Sequence, residues 1–296
     1  MRKDFVVKRF KRNEIDDERW NKLIDEALLS KSYLYSWYLD VVSPNWQALI
    51  LNDYEAVFVL PLKKKFGIKY LIQPNFVQQL GCISGNVNEE FLKYCIKYLK
   101  RHFLYYKINL NEIDTELLSI QKKSRIFINV SKKISGNETD SESYNNNTKR
   151  NIAKFYSAGL GIAEIEDYNP VINLFKKDKG SILSLNDSFY SLLIELLDEV
   201  KKYNKLVVCT AFNDDEIIAG TVFINTPKMS TFIFSGNSDY GKNYGAMHAL
   251  IDYFIQKYLS EGQTLDFEGS INEGLAQFYM GFGGEKREYM QIFRRI

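Results

Sequence analysis

Cysteine, histidine and proline are scarce in this chain: three, two and five among 296 residues. Cys82, Cys95 and Cys209 are odd in number and far apart, which argues against a disulfide framework and a zinc knuckle. With only His102 and His248 besides them, a His/Cys metal site is not expected. Long apolar runs are also missing. The longest, such as residues 56–60, fall far short of a membrane span, and the N-terminus alternates charged with apolar residues where a signal peptide would be apolar. A cytoplasmic location with no membrane span is the expectation. Charge of one sign is lacking too, the formal net charge being +2. Basic clusters recur (Lys63-Lys64-Lys65, Lys122-Lys123, Lys132-Lys133, Lys149-Arg150, Lys176-Lys177, Arg294-Arg295), each too short to be a nucleic-acid tail. They read as solvated turns and helix faces, or as dispersed charges that converge on a phosphate-bearing substrate.

What is present is an internal repeat. Residues 46–51, Asn52-Asp53 and residues 56–60 read as strand, tight turn and strand, and residues 206–212, Asn213-Asp214 and 217–223 read the same way. The offset from Asn52 to Asn213 is 161 residues. A third strand follows each hairpin, at 70–73 and 230–235, so each half is expected to hold an antiparallel meander. Helical spacing of apolar residues marks 15–29, 89–103, 188–203 and 246–259. Residues 136–148 are polar and almost without apolar side chains, which makes them the expected boundary between domains at 1–136 and 137–296, or a loop over a cleft. The fold class expected is α/β (α+β), as two similar domains, each a mainly antiparallel mixed sheet flanked by helices.

Chemistry concentrates near the C-terminus. A short strand at 263–267 runs into Glu268-Gly269-Ser270, and period-two alternation puts Asp266 and Glu268 on one face. Ser270 followed by Glu273 reads as a capping box opening a helix, which continues through Phe278-Tyr279 to Phe282-Gly283-Gly284. Earlier, Thr148 reads as the N-cap of a basic helix carrying Lys149, Arg150 and Lys154, with the Arg150 fork suited to a carboxylate or phosphate. In the first half, Gln73, Gln78 and Gln79 bracket a Pro74 turn and could hydrogen-bond an uncharged polar substrate. Tyr33, Tyr35, Trp37 and Tyr38 are expected to be core and cleft wall.

The acidic strand, Gly-Ser turn, Phe-Tyr helix and Phe-Gly-Gly resemble the closing segment of GNAT-fold acyltransferases, in particular the double-domain branch of FemABX-like proteins and related acetyltransferases. Residues 147–161 are similar to the Thr-Arg-Arg-Asn-Ile-Lys-Lys pattern that opens the second domain of that branch, and the repeat extends the resemblance over essentially the whole chain. The resemblance implies tandem GNAT-like domains. It implies an N-acyltransferase acting on an amine acceptor in the interdomain cleft, with Glu268 or Asp266 as base and Tyr279 as the acid that protonates the leaving thiolate. Gln73, Gln78, Trp37, Arg150, Asn237 and Ser270 are the expected substrate contacts.

For the donor, the resemblance implies an acyl-CoA co-substrate and no tightly bound cofactor, and Tyr240, Lys242, Gly245 and Ala246 are the expected contacts of that co-substrate. Residues 236–246 occupy the place of the family's pyrophosphate loop with glycines but without its Gln/Arg-x-x-Gly-x-Gly/Ala spacing. Tyr240 and Tyr244 would crowd a pyrophosphate that Lys242 could neutralise. Two alternatives stay open: a FemABX-like aminoacyltransferase using aminoacyl-tRNA on a peptide or peptidoglycan precursor, and a non-catalytic ligand-binding module on the same fold.

Overall fold

The structure is a computed structural model, and it describes residues 5–118, 124–134, 140–180, 183–269 and 272–294. The chain divides into two compact units, one made of Met1–Ile128 with Arg287–Ile296 and the other of Asn129–Lys286. The boundary expected near residue 136 falls in a stretch outside the described residues. The last strand of the chain belongs to the first unit.

In the first unit the elements in order are β1 (Val7–Lys11), α1 (Asp17–Glu26), α2 (Ser36–Val42), β2 (Gln47–Leu51), β3 (Ala56–Leu60), β4 (Leu62–Lys65), β5 (Ile68–Ile72), β6 (Cys82–Ser84), α3 (Glu89–His102), β7 (Tyr106–Asn109), α4 (Glu112–Leu117) and the start of β8 (Ser124–Lys133). The Asn52-Asp53 hairpin forms as expected, β2 and β3 pairing antiparallel from Gln47↔Leu60 to Leu51↔Ala56. The third strand does not join them. Pro61 has no N–H to give a ladder, and the chain breaks there: β3 lies between β2 and β6, whereas β4 pairs with β5. β5 then runs parallel to β7 through Leu71↔Tyr106. Helix α3 buries Phe91, Cys95 and Leu99 at i, i+4 and i+8, together with Leu92, against Leu49, Phe58, Leu60 and Ile108.

The second unit contains α5 (Asn146–Ser157), β9 (Gly161–Glu164), α6 (Asn169–Phe175), α7 (Asp187–Lys202), β10 (Leu206–Asn213), β11 (Glu216–Asn225), β12 (Met229–Asn237), α8 (Asp239–Asn243), α9 (Ala246–Tyr258), β13 (Thr264–Asp266), α10 (Glu273–Met280) and the start of β14 (Glu285–Arg294). Its strands are ordered β8-β13-β12-β11-β10-β9, with the expected β10-β11-β12 meander intact. Helix α9 packs Ala249, Leu250, Ile251, Phe254 and Ile255 inward, and Phe254 stacks on Phe223 with centroids 3.7 Å apart.

Both units follow one plan: antiparallel strands, a helix (α3 or α9), then a strand parallel to the third (β5 with β7, β12 with β13). The 161-residue offset places Pro61 opposite Val222, and the β11–β12 register shifts between Val222 and Phe223. The same point of the strand is irregular in both halves, as a break in one and a bulge in the other. The antiparallel neighbour of β7 is β14, and that of β13 is β8. This is a mixed α/β fold with sheets flanked by helices.

Two cap assignments are corrected. The helix expected to begin at Thr148 begins three residues earlier: Asn145 Oδ1 accepts Thr148 N–H (2.8 Å), and Asn145 N–H itself donates to Gly281 O (2.9 Å). The tertiary bond selects Asn145, and Thr148 is buried. Ser270 lies outside the described residues, and the cap of α10 is Asn272, whose Oδ1 accepts Leu275 N–H.

Candidate active site

In the second unit β12 and β13 stay together for three residue pairs, Met229↔Thr264, Ser230↔Leu265 and Thr231↔Asp266, and then part. The cause is local. The strand expected over 263–267 ends at Asp266, because its Oδ1 accepts the N–H of Glu268 (3.0 Å), an Asx turn that swings Glu268 to φ +43°. The same oxygen accepts Asn129 Nδ2 (2.8 Å) from β8, and both side chains are fully buried. Asp266 and Glu268 therefore do not share a strand face. Asp266 holds the turn from below, and Glu268 stands half-buried beyond the strand end.

β12 meanwhile continues to Asn237, and its outer half, without β13 beside it, faces a cavity of about 330 Å³. β12 contributes Phe232, Ser235 and Asn237 to the wall. The N-terminal turn of α9 contributes Gly245, Met247 and His248, and α10 contributes Leu275, Phe278 and Tyr279. Tyr279 is packed as tightly as a core residue, stacked on Phe267 (4.5 Å, 14°) and edge-on to Phe232 (6.1 Å), while still lining the cavity. Burial holds its hydroxyl well above the usual phenol range, so it stays protonated. Burial also pushes His248 down to about 4, so this imidazole is neutral at ordinary pH; it sits edge-on to Phe278 at 4.7 Å. Asn237 Oδ1 is buried with no hydrogen-bond partner among the described residues. The cavity thus presents an imidazole, a phenol, a hydroxyl and an unmatched amide oxygen, all uncharged.

Its charged edge is neutralised from within. Lys242 Nζ pairs with Asp178 (2.6 Å) and Asp239 (3.1 Å), which raises its pKa through those two hydrogen bonds. Gly236 and Asn237 end β12, and the loop continues as the short helix α8, capped by Ser238 on Gly241 N–H, followed by Gly245 at φ +74° as the N-cap of α9. A Cβ on Gly245 would come within 2.5 Å of Asn151 O, so that glycine permits the close approach of α5 to α9. Tyr240 is exposed and leans on Tyr244 (4.6 Å), and Ala246 is buried as the first residue of α9. The N–H groups of Ala246 and Met247 precede the first intrahelical bond of α9, from His248 N–H to Gly245 O, and Met247 lines the cavity.

The other expected contacts are engaged elsewhere. Arg150 is exposed on α5 and donates to Asn147 Oδ1 (2.8 Å). In the first unit Gln73 donates to Val77 O (2.8 Å) and accepts Asn109 N–H (2.9 Å), so both ends of its amide clip the Pro74 turn. Gln78 accepts Gln79 Nε2 (2.8 Å). Trp37 is buried in α2 and stacked on Tyr35 (5.4 Å, 20°), and Tyr33, Tyr35 and Tyr38 are buried with it, as expected of core aromatics. Of the residues anticipated, the structure gathers Tyr279, Asn237, Lys242 and Gly245 around the cavity. His248, Ser235, Met247 and Phe278 were not anticipated. For His248 the usable signal is its place in the first turn of the helix that follows the meander.

Among the described residues no group of three or more His, Cys, Asp or Glu is placed to hold a metal, and no helix is long and apolar enough to cross a membrane.

No family model and no curated protein sequence matches the chain. Solved structures do. FemX covers 96% of this chain and 97% of its own, at 11% identity and a TM-score of 0.68. A conserved protein of unknown function from Bacteroides thetaiotaomicron covers 98% and 100%, at 10% identity and a TM-score of 0.62. A tandem GNAT protein from the clavulanic acid biosynthesis pathway covers 97% and 98%, at 8% identity and a TM-score of 0.53. At such identities the likeness is one of fold, and the fold of this chain is the double-domain GNAT/FemX-like one.

Proposed function

We propose that this protein is an N-acyltransferase that takes its acyl group from acyl-CoA in the cavity beside β12 and passes it to an amine. The observation that carries the reading is the parting of β12 from β13. It leaves a strand edge whose peptide groups suit an extended, amide-bearing thioester arm, pairing it as an added strand would be paired. Asn237 Oδ1 is an acceptor waiting for such a donor, and Met247 in the first turn of α9 lines the same cavity. In the transfer the amine nitrogen attacks the thioester carbonyl, and charge passes from the carbonyl oxygen to the departing sulfur. Tyr279, protonated throughout, donates a hydrogen bond to that sulfur. Glu268 takes the amine proton, and Asp266 acts by positioning the Glu268 turn. His248, neutral at working pH, contributes a polar contact without competing for the proton.

One observation favours a second donor. With Lys242 held by two acids, the loop offers no unpaired lysine to a pyrophosphate, a feature that suits a FemX-like transfer from aminoacyl-tRNA to a peptide or peptidoglycan precursor. Calorimetric titration with acetyl-CoA, followed by an amine screen read by thiol release, separates the readings. The expected result is saturable binding that Tyr279→Phe leaves intact while turnover falls about tenfold or more. Binding of charged tRNA without binding of acetyl-CoA transfers the assignment to the second donor. Ligand binding with no turnover on either donor refutes an acyltransferase and leaves a binding module.

A further inference from the structure

The hairpin β4–β5 has a design that the folded chain does not use. Its turn is Phe66-Gly67, with φ +49° and +80°, the two left-handed residues of a two-residue hairpin turn. Asn or Asp is the usual first residue there, and a bulky aromatic at positive φ is strained. Phe66 nevertheless occupies it with 92% of its surface exposed, far more than any other large apolar side chain among the described residues, and Ile68 beside it is 50% exposed. The Lys65 ammonium lies over the ring at 5.5 Å, but the ring itself stands clear of the core. Strain and apolar exposure together mark a surface made for something outside the protein.

The charges behind the tip state what that is. Lys63, Lys64, Lys65 and Lys69 are all exposed and enter no ion pair among the described residues. Lys64 and Lys69 are direct cross-strand partners, a like-charge pair that destabilises the ribbon unless an anion lies against it. Lys63, Lys64 and Lys69 continue into a groove with Lys11, and the acid of that groove, Asp40, is occupied by Arg12 (2.5 and 2.7 Å) and by the Trp46 indole (2.8 Å). The hairpin is therefore cationic on both faces, Lys64 and Lys69 on one and Lys63 and Lys65 on the other, with an apolar point. At strand spacing the Lys64–Lys69 pair sits roughly 7 Å behind the turn, which is the depth separating lipid phosphates from the upper acyl chains. Ile68 has no π-face to stack on a base, so the tip suits hydrocarbon better than a nucleic acid.

We propose that this hairpin docks the protein on an anionic phospholipid surface, with Phe66 and Ile68 entering the interface and Lys63, Lys64, Lys65 and Lys69 on the headgroup phosphates. The contact is peripheral and needs no spanning segment. It is independent of the donor proposed above.

The test is cosedimentation of the full chain with vesicles of phosphatidylcholine alone and of an equimolar mixture with phosphatidylglycerol. Binding is expected to the mixture only and to weaken with salt. Lysine near a charged surface contributes about fivefold each, so Lys64→Gln with Lys69→Gln should lower partitioning roughly 25-fold. Phe66→Ser should lower it roughly tenfold or more. All variants alter exposed side chains, and equal thermal unfolding verifies that each is folded. No binding to the mixed vesicles, or binding that both variants leave unchanged, overturns the proposal. So does binding to a single-stranded RNA homopolymer that depends on the same lysines when vesicles are not bound.

Discussion

Asp114 should make the first unit less stable as the pH rises, and Asp114→Asn should abolish that dependence. The side chain is buried at the start of α4, where Asn111 caps the helix by accepting Asp114 N–H (2.8 Å) and Asp114 Oδ2 accepts Cys82 N–H (2.7 Å). Burial raises its carboxyl to about 8, only partly opposed by the Cys82 hydrogen bond. From an unfolded value near 3.8, the folded chain holds a proton that the unfolded chain releases. The stability that this proton contributes is therefore full below about pH 4, falls as the pH rises and is gone once it passes about 8. One pH unit is worth about 1.4 kcal/mol, so the loss between about pH 5 and pH 8 is about 4 kcal/mol, a large part of a domain's stability. Asparagine keeps an oxygen for Cys82 N–H and carries no charge at any pH. Urea unfolding of both proteins across that range is the assay, and the expected result is a falling wild-type curve crossed from below by a flatter Asp114→Asn curve. Parallel curves would refute the reasoning.

Three further outcomes are expected. His248, lowered to about 4 by burial, should weaken the fold as the pH drops from about 6.5 to 4, since the unfolded imidazole takes up a proton that the folded one refuses; thermal melts should show this acid limb reduced in His248→Gln. Gly245→Ala should cost about 1–3 kcal/mol by chemical denaturation, from the positive φ and the approach of Asn151 O together. Asn129→Ala removes a buried donor from the Asp266 carboxylate and should cost about 1–3 kcal/mol. It should also reduce any transferase turnover more than ligand affinity, because the Glu268 turn loosens, and paired stability and kinetic measurements check both effects.

The parts of this fold legible in the sequence were those fixed by short-range chemistry. Asn-Asp turns set both hairpins, and the 3.6-residue spacing of Phe91, Cys95 and Leu99 marked α3. What was not legible depended on choices made in three dimensions. The segment before α5 offers Asn145, Asn146, Asn147 and Thr148 as caps of similar quality, and only the bond from Asn145 to Gly281 decides among them. Period-two alternation over Asp266 and Glu268 was a fair reading of a strand, but it could not include the carboxylate that ends the strand at Asp266. A lone histidine has no spacing to betray it, so His248 emerged only with its cavity. Pro61 was visible, but that the chain beyond it would leave one sheet for another was not.

The pairing of β7 with β14 sets an order on synthesis. β7, made early, obtains its antiparallel neighbour β14 from residues translated long after it, and Met290 and Ile292 of that strand lie in the core around α3. The first unit therefore emerges from the ribosome with an open sheet edge and an unfilled core, and must wait for more than half of the chain before it can close. Such an edge invites pairing with other chains while it waits. The nascent N-terminal unit, and not the finished protein, is where a chaperone's help would count most.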